Sequence, residues 1–96
     1  MFALQNYKLM ATLQNIRQLM AADRLDEALS ALGEMPEPTA ESLFLKGKVY
    51  WRMGRRSEAT NCYMAAAALD PESPAVQALE QARDIESFFN PDLLNP

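Results

Sequence analysis

Histidine is absent from this 96-residue chain, and cysteine occurs once, at Cys62. Those two gaps remove a large body of chemistry. No Ser-His-Asp or Cys-His arrangement can be assembled, nearly every zinc site is lost, and no intrachain disulfide can form. With one buried-looking cysteine and no nucleophile–base pair, an enzyme is not expected, and no cofactor or metal is called for. Glycine is scarce, at 3 residues, and β-branched residues are few. A continuous apolar stretch is missing from the amino-terminal "MFALQNYKLMATLQNIRQLM", where Gln, Asn, Lys and Arg interrupt the pattern. That segment lacks the run of a signal peptide or membrane span, so the expectation is a cytoplasmic protein with no membrane partner.

What is present points to helices. Ala, Leu, Met, Gln and Glu dominate, which reads as an all-α chain. Hydrophobic residues make up 49% and charged residues 23%, as in ordinary soluble globular proteins, and the length allows one domain with a modest core. The net charge of −4 argues against the chain as a whole binding nucleic acid. Basic residues are nonetheless concentrated at Lys46, Lys48, Arg52, Arg55 and Arg56, with no acid between Glu41 and Glu58. Five charges around two helices and a turn match no nucleic-acid motif.

Apolar spacing predicts five helices. Leu9, Leu13, Ile16, Leu19 and Met20 mark the first, over 4–21. Asp23 is the expected N-cap of a second, striped by Leu25, Ala28, Leu29 and Leu32 and broken at Gly33 and "MPEP". The third is expected over 39–53, with Leu43, Gly47 and Tyr50 on one face and Gly54 as terminator. A fourth, over 56–69, places Ala59, Cys62, Tyr63, Ala66 and Leu69 on one side, and Pro71 ends it. Ser73 and Pro74 open a fifth carrying Val76, Leu79, Ala82, Ile85 and Phe89.

Two of these hairpins share a pattern. "DRLDEALSAL" (23–32) aligns with "GRRSEATNCY" (54–63), so that Ala28 meets Ala59 and Leu32 meets Tyr63, at an offset of 31 positions. Upstream, Leu19 meets Tyr50 and Met20 meets Trp51.

Residues 40–71 resemble a tetratricopeptide repeat, a helical hairpin recurring about every 34 residues. Leu43 stands at the usual tryptophan position, followed by Gly47, Tyr50 and Gly54; Ala59, Tyr63 and Ala66 then give the small-large-small pattern, and "LDP" (69–71) the ending. Residues 4–33 resemble a degenerate preceding hairpin, with Ile16 and Asp23 where glycines are usual and a segment about three residues short at "GEMPEP". Residues 73–89 fit a solvating cap helix. The tail "FFNPDLLNP" (88–96) resembles those of small stand-alone bacterial members. The resemblance implies an α-solenoid of about two repeats and a cap, near the lower limit for such an array.

The family's groove positions, carried onto this sequence, are Glu41, Phe44, Lys48, Trp51 and Arg52, and in the degenerate copy Met10, Leu13, Arg17, Met20 and Ala21. From the residues alone, Phe44, Lys48 and Trp51 share a stripe at i, i+4 and i+7, and aromatics and Arg are frequent binding hot spots. The partner-binding candidates are therefore Phe44, Lys48, Trp51, Arg52, Arg17 and Glu41. Lys48 and Arg52, one turn apart, suit an acidic peptide; the alternative is a solvated face, with Phe44 and Trp51 packed on the first or fifth helix. A chaperone-type carboxylate clamp is not supported, since Phe44 stands where that clamp needs lysine.

The remaining features read as structure. Methionines 35, 53 and 64 are expected to fill gaps, Cys62 to be a small buried residue, and Ala65 and Ala68 to form an uncharged outer strip. Phe88, Phe89, Leu93 and Leu94 are expected to fold back on the helices. The functional expectation is a protein-interaction module for a peptide or partner helix; the alternative is a homo-oligomeric accessory subunit, joined through array ends or tail.

Overall fold

The computed structural model describes the backbone of residues 2–35 and 37–89 and the side chains of residues 12–35 and 37–83. Five helices follow in order: α1 (Phe2–Ala21), α2 (Leu25–Gly33), α3 (Ala40–Arg52), α4 (Arg56–Leu69) and α5 (Ala75–Phe89). There is no strand among the described residues, so the fold is all-α, built from helical hairpins. None of the described helices is long and apolar enough to cross a membrane. The side chains of Phe88 and Phe89, and residues 90–96, lie outside the described residues, and with them the expected fold-back of the tail.

Helix boundaries have local causes. Thr39 opens α3 with a capping box: its hydroxyl accepts from the Ser42 N–H at 3.1 Å, and the Ser42 hydroxyl accepts from the Thr39 N–H at 2.8 Å. At the other end Gly54 takes a φ of 81°, the left-handed geometry that ends helices. Asp70, ahead of Pro71, is extended and closes α4. The Ser73 hydroxyl then accepts from the Ala75 N–H at 3.1 Å, opening α5.

Asp23 does not cap α2. It has a φ of 61°, and the residue ahead of α2 is Arg24, with no side-chain cap. A left-handed backbone is incompatible with the extended geometry of an N-cap, and Asp is one of the few L-residues that enter that region readily. Here it takes the place that Gly54 holds in the next hairpin. The offset of 31 recurs bond for bond. The N–H of Arg24 donates to the Leu19 carbonyl at 2.8 Å, and that of Arg55 to Tyr50 at 2.9 Å; Asp23 donates to Met20 at 3.0 Å, and Gly54 to Trp51 at 3.1 Å.

Two apolar clusters share α3. The first joins Leu13, Ile16 and Met20 of α1, Ala28 and Leu32 of α2, and Leu45 and Val49 of α3. The second centres on Ala59, Tyr63 and Ala66 of α4 and Ala75 of α5, with Leu43, Phe44, Tyr50 and Trp51 packed against it. Gly47 makes the α3–α4 crossing possible. A methyl there would sit 2.5 Å from Tyr63 Cε1 and 3.2 Å from the Ala59 carbonyl oxygen.

The face of α4 is narrower than its apolar pattern. At 100° per residue, Leu69 lies about 90° from the centre of the Ala59–Tyr63–Ala66 stripe, and it is 60% exposed. Cys62, nearer that stripe, is half-buried. Met64 falls on the opposite side and is 51% exposed, so it fills no gap, while Met35 and Met53 do pack on the first cluster. Of the two outer alanines, Ala65 is exposed as expected and so is Ala68.

Candidate functional site

Phe44, Lys48 and Trp51 line one wall of a groove of about 320 Å³ between α3 and α5. Tyr63 of α4 lies at its floor; Gln77, Ala78, Gln81 and Ala82 of α5 form the other wall, with Pro74 at one end. On the α5 side the groove is lined by the small Ala78 and Ala82 with Gln77 and Gln81, while Leu79, with Ala75 and Ala78, packs on the second cluster.

Phe44 and Trp51 are half-buried, packed at their base and open at the groove. The Phe44 and Tyr63 rings are tilted by 40° at a centroid separation of 6.0 Å. Lys48 Nζ lies 5.4 Å from the Phe44 ring centre and the Arg56 guanidinium 5.4 Å from that of Trp51, both within cation–π range. Arg55 covers Tyr50 in the same way at 4.9 Å while pairing with Glu58 at 2.6 Å. The basic segment is therefore largely engaged with its own aromatics and acids.

Three of the six candidates lie elsewhere. Arg17 and Glu41 pair with each other, joining α1 to α3. Arg52 Nη1 donates to the Met20 carbonyl at 2.6 Å, an acceptor at the end of α1 that it shares with the Asp23 N–H. In the first hairpin, Leu13 and Met20 are no groove residues: they are 4% and 7% exposed, inside the first cluster. They stand in the register of Phe44 and Trp51, but the bulky Leu45 and Val49 join them in that cluster. Ala21 is exposed; the side chain of Met10 lies outside the described residues.

Gln77 and Gln81 are groove residues that the sequence does not single out, and Tyr63 stands out there only as a packing position. The signal for the glutamines is their i, i+4 spacing beside Ala78 and Ala82, which acquires meaning only once α5 is stacked against α3 and α4.

Two groups have titrations shifted by their surroundings. Burial pushes the Cys62 thiol above its ordinary range, opposed by Lys46 and reinforced by Glu58. The Tyr63 phenol is likewise raised by burial, with Cys62 adding to it. Neither group is poised as a thiolate or phenolate at neutral pH. Among the described residues no cluster of His, Cys, Asp and Glu could hold a metal ion.

The family model described as tetratricopeptide repeat matches residues 40–73. No curated protein and no solved structure matches the chain. The matched segment covers α3, α4 and the turn into α5, the elements that build the groove floor and its aromatic wall. Residues 40–73 are a tetratricopeptide repeat.

Proposed function

We propose that the chain is a non-enzymatic protein-interaction module that captures a peptide or partner helix on the face formed by Phe44, Lys48 and Trp51. Tetratricopeptide repeats generally mediate protein–protein interaction, and residues 40–73 are one. The observation that carries the reading is the groove itself. It has an aromatic wall, one cation and no acid among its lining residues, on a chain whose net charge is −4. That local inversion of sign favours an acidic partner. Arg17, Glu41 and Arg52, engaged within the chain, are assigned to holding α1 against α3 rather than to partner contact. The α1–α2 hairpin is read as a degenerate copy of the repeat, on the strength of the shared turn geometry.

Trp51→Ala and Lys48→Glu are expected to abolish capture of a partner from lysate while circular dichroism stays unchanged. Capture that persists in both variants rejects this face. A second reading, self-association, draws on the exposed Met64 and Leu69. Light scattering over a wide concentration range tests it, and a strict monomer at high concentration excludes it.

A further inference from the structure

The groove has a second wall whose chemistry differs from the first. Gln77 and Gln81 are both exposed on α5 and line the groove opposite the Phe44–Lys48–Trp51 wall, and their carboxamides make no hydrogen bond among the described residues. Each carboxamide offers one acceptor and two donors. Four residues of helix separate them by about 6 Å along the axis. Alternate residues of an extended chain recur at about 6.6 Å, so the two amides match successive backbone groups on one edge of an extended peptide. A partner helix has no such groups to offer, because its interior N–H and C=O are internally paired.

We propose that the groove takes an extended acidic–apolar peptide, whose apolar side chain lies between Phe44 and Trp51, whose carboxylate meets Lys48, and whose backbone is read by Gln77 and Gln81. The inference rests on the reading of this face as the binding face and chooses between its two partner classes. Charge commits the occupant: Lys48 lies over the Phe44 ring and makes no ion pair among the described residues, and no acidic residue lines the groove. α5 is then half of the site and not solely a cap.

The test uses the full chain and three labelled probes: an alternating Leu–Asp octapeptide with blocked termini, its Leu–Lys counterpart, and a hydrocarbon-stapled helical peptide of Leu–Asp composition. Fluorescence polarisation is expected to show binding of the first probe only. Gln77→Met with Gln81→Met, substitutions of similar volume at exposed positions, should weaken it about tenfold. N-methylation of alternate backbone amides in the probe should cost the wild type the same factor and the double variant nothing more. Equal binding by the Leu–Lys probe, or additive losses in that cycle, overturns the inference. A stapled probe that binds more tightly and requires Trp51 overturns it while leaving the groove in place. If neither aspartate probe binds, the inference falls, and lysate capture that is also indifferent to Trp51→Ala removes the groove reading with it.

Discussion

At the residue scale, Gly47 and Cys62 carry the sharpest consequences. The ring that a Gly47 methyl would strike belongs to Tyr63, which is 4% exposed, and the Ala59 carbonyl oxygen of the α4 backbone stands 3.2 Å away. Overpacking of this kind costs about 1–3 kcal/mol, partly offset by roughly 1 kcal/mol of helix propensity gained. Gly47→Ala is expected to lower Tm, by up to about 15 °C. At Gly33 a methyl would meet nothing within 4 Å, which makes it the control, and Gly33→Ala should leave Tm level or slightly raised. Equal behaviour of the two variants in a thermal melt would refute the crossing argument. For Cys62 the sign follows from burial, which favours the neutral thiol. Alkylation by iodoacetamide should be slow at neutral pH and accelerate only above the ordinary thiol range. Stability should be undiminished below that range and fall as pH rises through it, since the unfolded chain then releases the proton first. A thiol alkylated at neutral pH as fast as a free cysteine would contradict this.

At the element scale, polar contacts that look alike differ in worth. The Thr39–Ser42 capping box satisfies backbone donors at a part-buried helix start, so Thr39→Ala should cost about 1 kcal/mol. The Arg17–Glu41 pair joins two helices but is about half exposed on each side, and exposed pairs contribute little. Arg17→Gln should therefore shift the urea midpoint far less than Thr39→Ala; the reverse order would show that α1 depends on this pair. The helices and their offset of 31 are legible in the sequence because apolar spacing and turn residues are local signals. Asp23 is not, because Asp suits both an N-cap and a left-handed turn, and only the backbone angle decides between them. Leu13 and Met20 show the limit more clearly. They share the register of Phe44 and Trp51, yet one pair is buried and the other lines a groove. The difference lies in the neighbouring helix, with Leu45 and Val49 in one case and Ala78 and Ala82 in the other. No periodicity within α1 or α3 contains that information.

At the scale of the whole molecule, α3 belongs to both apolar clusters, whereas α1 and α2 belong only to the first and α5 only to the second. Stability in such stacks is a sum over neighbours, so damage should stay on one side of α3. Val49, fully buried in the first cluster, provides the probe. Val49→Ala is expected to speed hydrogen exchange in α1 and α2 well beyond any change in α4 and α5. A uniform acceleration across all five helices would show one indivisible cooperative block instead.

The shared position of α3 also bears on biosynthesis. Leu13, Ile16 and Met20 leave the ribosome well ahead of Leu45 and Val49, the side chains that complete their cluster. At translation rates of about 5–20 residues per second, the interval between Met20 and Val49 is about 1.5–6 s. For that time the nascent chain carries an apolar stripe without its full cover. Docking of α3 ends the exposure, and its far face then presents Phe44 and Trp51 before α5 has been made.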